Sequence, residues 1–301
     1  MIELPDIPKT PLSLTLPSLL QRTLTFLQLV TRRRMALVGL LLITFFTLVA
    51  LMAPLLATRD PLELDIYDRL QPPSLKYWLG TDPSGRDLYS RLIWGSRISL
   101  LVALSSVTFG TIVGLMMGLI AGYRGGNFDV VVTMLVDGMM AFPMLLLALA
   151  LVALLGPSLP NLIIAVGFST IPRTTRLVRG EVLSIRALEY VEAARSIGAT
   201  DLRIAFKHIL PNILSPVLVL FSQRLSSAIL TESALSYLGL GVQAPRPSWG
   251  NIIAEGQGYL ETGPWVALIP GAVIALTVLG FNLLGDGLRD ALDPVLRSSP
   301  Y

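Results

Sequence analysis

EYVEAARSIGATDLRIAFKHILPN, residues 189–212, is a charged stretch set between two apolar runs, each long enough to cross a bilayer. Residues 189–197 read as a helix with charges on most faces. Gly198 stands where a helix stop is expected, since glycine enters the left-handed conformation at little cost. Thr200 or Asp201 is placed to cap a second helix over 202–210, with Leu202, Phe206, Ile209 and Leu210 on one side. Pro211 then opens the next apolar run at a position where proline is tolerated. The spacing predicts a structured helix–turn–helix with a notch of small residues (Ala193, Ala194, Gly198) suited to docking in another protein's groove.

Working outward, the chain of 301 residues is 53% hydrophobic and 14% charged, against about 25% charged in a soluble domain. Runs of about 20 apolar residues read as membrane-crossing helices, because each must span about 30 Å. The expected fold class is therefore an all-α polytopic membrane protein. Six spans are predicted, near 35–57, 98–122, 129–155, 160–180, 211–237 and 265–285, the fourth broken by Pro172. They form a transmembrane domain over 35–286, with a polar loop at 181–210 and short segments at 1–34 and 287–301. The N-terminus lacks the shape of a signal peptide. With it inside, the inner segments carry fifteen Lys and Arg and the outer segments seven, which places both termini in the cytoplasm. The outer stretch 58–97 also carries six acids and is expected to fold as a small cap.

Before the first span, Leu16, Leu19, Leu20, Leu24, Leu27 and Val30 share a helical face that Ser18 is placed to cap. The pattern fits an amphipathic helix lying on the inner leaflet or a partly ordered tail. In the second span Gly110, Gly114, Gly118 and Gly122 recur every four residues and form a ridge. Such ridges let helices approach closely in lipid, so this face is expected to pack against another helix.

The residues that enzyme chemistry needs are scarce. Cysteine is absent, histidine occurs once (His208), and the lysines are Lys9, Lys76 and Lys207. Thiolate and histidine-cluster metal sites are excluded, no G-x-S-x-G is present, and no lysine follows glycine as a Walker-type ATP site demands. His208 reads as structural or interfacial. Asp137, Arg224 and Glu232 fall within spans, where a charge costs about 2.5–3.5 kcal/mol on insertion scales and must face protein or water. Arg224 and Glu232 share roughly one face. They form either a polar stripe along a solute path or tertiary contacts that hold the packing.

The opening stretch resembles the signature loop of bacterial ABC importer permeases, E-A-A-x3-G-x9-I-x-L-P. Glu192-Ala193-Ala194, Gly198, Leu210 and Pro211 match at the right spacing, and His208 replaces the isoleucine. HILPN in that place is similar to the peptide- and nickel-importer branch. WLGTDPSGRDLYSRLIWGSRISL (78–100), ALSYLGLGVQAPRPSWG (234–250) and FNLLGDGLRDALDP (281–294) resemble blocks of the C-type permease of dipeptide, oligopeptide and nickel systems. The glutathione importer's permease is similar too, so these blocks do not choose the cargo.

The resemblance implies a type I ABC importer permease fold in a bacterial inner membrane. The chain would pair as a heterodimer with a second homologous permease and receive cargo from an extracytoplasmic binding protein. Two ATPase subunits, which hold the ATP and magnesium, would couple through Glu189, Glu192, Ala193, Ala194, Arg195, Gly198, Leu210 and Pro211. This chain would hold no cofactor, bind no nucleic acid and perform no covalent chemistry. The turn at Asp82-Pro83-Ser84-Gly85 and the 238–264 loop are expected to dock the binding protein, with Asp82, Ser84 and Gln243 as contacts. The rival readings are an autonomous secondary transporter or channel using Asp137, Arg224 and Glu232, and an intramembrane enzyme, which the missing Ser/His/Cys geometry disfavours.

Overall fold

The computed structural model describes residues 34–292. The helix expected within 16–30 and the end of the C-terminal segment lie outside them. Among the described residues, regular structure is helical apart from one isolated bridge between Thr81 and Asp87. Helix α1 (Arg34–Leu51) leads through a short turn, Ala53–Leu56, into a loop. Helix α2 (Leu88–Arg124) starts well before the expected span at 98, because the Asp87 carboxylate accepts from the Ser90 amide at 2.9 Å and caps it.

The third span is two helices, α3 (Gly126–Met140) and α4 (Met144–Leu155), bent by 93°. Pro143 sets the break: its ring excludes the helical conformation at Phe142 and starts a new helix after it. The fourth expected span differs in the opposite sense. Pro172 lies inside α5 (Leu159–Arg186), which runs unbroken on both sides of it. The hydroxyls of Ser169 and Thr170 both donate to the Val166 carbonyl, at 2.7 and 3.2 Å, and close packing against α2 holds the two halves in line.

Helix α6 (Glu189–Ser196) is the first arm of the polar loop. The second arm is continuous with the fifth span as α7 (Asp201–Tyr237). Residues Ile204–Ile209 within α7 are wound as a π-helix, in which the Leu210 amide reaches back to the Ala205 carbonyl. Pro211 comes one residue later. A wide turn at this point accommodates a residue that lacks an N–H and whose ring crowds the preceding turn. Helices α8 (Trp249–Gly256) and α9 (Trp265–Leu292) complete the described chain, α9 running beyond the expected end at 285.

Among the described residues four helices are long and apolar enough to cross a membrane, or five if the bent pair is one span. Helix α5 falls short on composition, since its second half carries Arg173, Arg176, Arg179, Glu181 and Arg186. It completes the bundle by packing along α2. There a Cβ on Gly110 would stand 2.4 Å from the Gly167 carbonyl oxygen, and one on Gly118 2.6 Å from that of Thr175. A Cβ on Gly114 would meet Thr174 at 2.7 Å and one on Gly122 would meet Val182 at 2.9 Å. A second close crossing, of α1 on α9, sets Gly287 against Ala36 and Gly39 against Gly280. The main core gathers Val102, Val107, Leu162, Val166, Ile229 and the fully buried Trp249.

Candidate functional site

At one end of the bundle α6 and the first turns of α7 form the hairpin read from the sequence. The Gly198 amide donates to the Arg195 carbonyl at 3.0 Å and that of Ala199 to the Ala194 carbonyl at 3.1 Å, with Gly198 at φ +83°. This pair of bonds closes a helix through a left-handed glycine. Thr200 caps the start of α7, its hydroxyl accepting from the Arg203 amide at 3.4 Å.

The hairpin is fastened to the bundle. Val191, Ile204, Ile209 and Ile213 are fully buried and join Leu119, Val178 and Val182, from the ends of α2 and α5, in one apolar cluster. Ile204 and Ile209 are five residues apart, a spacing that only the π-turn brings onto one face. The expected grouping of Leu202 and Phe206 with Ile209 and Leu210 therefore fails: Leu202 and Phe206 are exposed, and Ile204 and Ala205 are buried instead. Asn212 ties the arms together. Its amide donates to the His208 carbonyl at 2.6 Å and to the Tyr190 hydroxyl at 3.2 Å. Tyr123 of α2 donates to Asp201 at 2.7 Å.

Of the predicted coupling residues, Glu189, Glu192, Ala193, Arg195, Gly198 and Pro211 are at least partly exposed, and Leu210 is half-buried. Ala194 is turned into the bundle at 7% exposure, so the outward notch consists of Ala193 and Gly198. No atom lies within 4 Å of a Cβ at Gly198.

At the opposite end the predicted contact Asp82 is fully buried and is no docking surface. It accepts from the Ser84 amide at 2.7 Å, from Arg86 Nε at 2.6 Å, and from Arg91. The same two arginines grip Glu255 of α8: Arg86 Nη2 at 2.5 Å, Arg91 Nη1 at 2.5 Å and Arg91 Nη2 at 3.0 Å. Each carboxylate balances a charge that would otherwise be stranded. Ser84 is half-buried and Gln243 exposed. In the same cap Lys76 and Tyr77 donate to Asp68 and hold its carboxyl below the ordinary carboxylate range.

The three ionisable groups within spans have different surroundings. Glu232 is fully buried and accepts from Ser236 at 2.8 Å, Ser99 at 3.1 Å and Ser233 at 3.4 Å. Ser99 in turn accepts from the Trp249 amide at 3.3 Å, so Glu232 knots α2, α7 and α8 together. Asp137 is exposed and paired with Arg176. Arg224 is 6% exposed and reaches Met144 Sδ at 3.9 Å, its Nε without a hydrogen-bond partner among the described residues. Arg224 and Glu232 thus form no pair with each other.

Nothing in the sequence singles out Glu255, Asn212 or Tyr190. Glu255 is one acid in α8, 164 residues from Arg91, and no local pattern signals that partnership. Asn212 lies within HILPN, but its role depends on Tyr190 lying opposite.

The family model described as "Binding-protein-dependent transport system inner membrane component" matches residues 114–298. That of the "N-terminal TM domain of oligopeptide transport permease C" matches residues 25–73. The chain is 46% identical over 267 residues to the dipeptide transport system permease protein DppC of Alkalihalophilus pseudofirmus, covering 89% of this chain and 88% of that one. It is 44% identical to the di/tripeptide transport system permease protein DppC of Pseudomonas aeruginosa, covering 98% of both. Against the glutathione transport system permease protein GsiD of Pectobacterium atrosepticum it is 44% identical, covering 89% of both. Among solved structures, the MetNI methionine ABC transporter in inward-facing conformations superposes with a TM-score of 0.57 at 21% identity, covering 67% of this chain and 96% of that one. At that identity the likeness is one of fold.

Proposed function

The chain belongs to the binding-protein-dependent transport system inner membrane component family, the membrane permeases of ABC importers, and from that premise we propose that it is the C-type permease of a peptide importer. Such permeases work beside a second permease, ATPase subunits and a binding protein. In this reading the second permease is a homologous chain and the pair encloses the path. Two ATPases, which bind ATP and magnesium, grip the exposed face of α6 through Glu189, Glu192, Ala193, Arg195 and Gly198. The termini and the hairpin lie in the cytoplasm, and the binding protein docks at the far end over Ser84 and Gln243. Peptides are the proposed cargo because the dipeptide and di/tripeptide permeases are similar along most of this chain.

The observation that carries the coupling role is the anchoring of the hairpin. Val191, Ile204, Ile209 and Ile213 lock it to the ends of α2 and α5, so a displacement of α6 by a partner is passed to the helices rather than absorbed in a loose loop. ATP binding would then bias one of two arrangements of the bundle, and hydrolysis would reset it. The test is purification of the complex from its native membrane and its reconstitution in vesicles with the binding protein. ATPase subunits should co-purify, and uptake of labelled dialanine should require ATP. ATP-independent uptake by this chain alone would overturn the reading.

A further inference from the structure

Two cavities on the flank of the bundle meet at Trp94 and Ile98, which line both. The first, of about 560 Å³, is a groove between α1 and α2. Thr47 and Leu51 of α1 and Leu101 of α2 form its exposed walls. Its floor is buried: Ala103, Leu225 of α7 and Phe281 of α9 are each at most 7% exposed. At the end towards the start of α2 the groove reaches Arg97, whose guanidinium lies 5.2 Å from the centre of the Trp94 ring. Arg97 stands just before the span expected from 98, at the depth where tryptophan and arginine meet lipid headgroups. The second cavity, of about 580 Å³, continues past Trp94 to Arg59, Asp60 and Arg246. None of the three arginines makes an ion pair among the described residues.

A groove left empty forfeits the contacts of the atoms that line it, so an apolar occupant is favoured here. A helix is too thick for the role. At about 10 Å in diameter, little more than one turn of it would fill this volume, whereas a single acyl chain is slender enough to lie along it. We propose that the two cavities form one site for an anionic phospholipid of the leaflet on the cap side. Its acyl chain lies between α1 and α2, and Arg97 and Arg246 hold its phosphate. The charges at the mouth select the headgroup. Arg59 has Asp60 beside it and also borders a small recess with Asp65 and Asp87, so its charge is offset. Arg97 and Arg246 are left to an outside anion. A headgroup with net negative charge satisfies them, whereas a zwitterionic one brings its own cation to the same place. The bound lipid would fill the seam between α1 and the rest of the bundle. The inference is independent of the cargo.

The test uses the whole purified complex, stripped of lipid and given phosphatidylglycerol or phosphatidylcholine with a photoreactive group midway along one acyl chain. Phosphatidylglycerol should label the peptides that contain Thr47 and Leu101, and phosphatidylcholine should label them several-fold less. Arg97→Gln and Arg246→Gln should each lower labelling by phosphatidylglycerol, at sub-saturating lipid, by about fivefold and leave that by phosphatidylcholine unchanged. Thr47→Phe, which fills the groove from its exposed wall, should reduce labelling by both lipids. Equal labelling of the wild-type complex by the two lipids would overturn the proposal, as would unchanged labelling in both Gln variants. Lipid labels that miss both helices would overturn it too, and would leave the groove to the second permease.

Discussion

Arg91 donates from both terminal nitrogens to Glu255, at 2.5 and 3.0 Å, across 164 positions of the chain. With Arg86 and Asp82 this contact clamps the start of α2 to α8 at the far end of the bundle. Glu255→Ala should leave two guanidinium groups, one of them 1% exposed, sharing Asp82 alone. The expected cost is about 3 kcal/mol, at the low end for breaking a buried pair, because Asp82 remains as a partner. The check is the melting temperature of the purified complex. Lys76→Met, which removes an exposed pair with Asp68, should lower it measurably less.

Gly118→Leu should force α2 and α5 apart, because even its Cβ would lie 2.6 Å from the Thr175 carbonyl oxygen. Overpacking of this kind costs about 1–3 kcal/mol where side chains can yield, and more where the obstacle is backbone. Yield of the assembled complex and its melting temperature should both fall. Wild-type values would show that the ridge does not set the crossing.

Gly198→Val should leave the chain inserted, because the site is open and no neighbour within 4 Å resists a Cβ. The left-handed φ of +83° still costs a branched residue roughly 1–2 kcal/mol. Helix α6 should therefore end differently and lose its grip on the ATPases. Glu192→Lys, on the exposed face, should do the same by reversing a charge. Co-purification of the ATPases and their stimulation by loaded binding protein are the readouts, and full coupling in both variants would remove the hairpin from the mechanism.

Glu232 separates a packing role from a path role. Glu232→Gln keeps an acceptor for the serines and should retain both stability and uptake. Glu232→Ala leaves the hydroxyls of Ser99 and Ser236 without it and should cost about 1–3 kcal/mol, read as lower melting temperature with uptake per assembled complex unchanged. Uptake lost in Glu232→Gln at normal stability would place the carboxylate on the path.

Much of the architecture is written in local patterns. Apolar runs mark the helices, because a bilayer demands length and apolarity whatever the neighbours are. The four-residue glycine repeat marks a close crossing, and Gly198 marks the turn of the hairpin, each through backbone sterics that belong to the residue itself. Local patterns leave open who meets whom. They present Pro172 as a break and 129–155 as one helix, yet the chain bends at Pro143 and runs through Pro172. A proline removes a hydrogen bond in either place, and the packing around it decides whether the helix survives. A regular period groups Leu202 and Phe206 with Ile209, and the π-turn before Pro211 shifts that register by a residue. Asp82 has the sequence context of an exposed turn and is a buried acceptor, because Arg91, nine positions on, binds it and Glu255 closes over that pair from a distant part of the chain. Asp137, Arg224 and Glu232 look alike in sequence as charges within spans. Only the tertiary structure gives one an exposed arginine, one a ring of serines, and leaves the third without a carboxylate among the described residues, because a buried charge takes its meaning from what is packed against it.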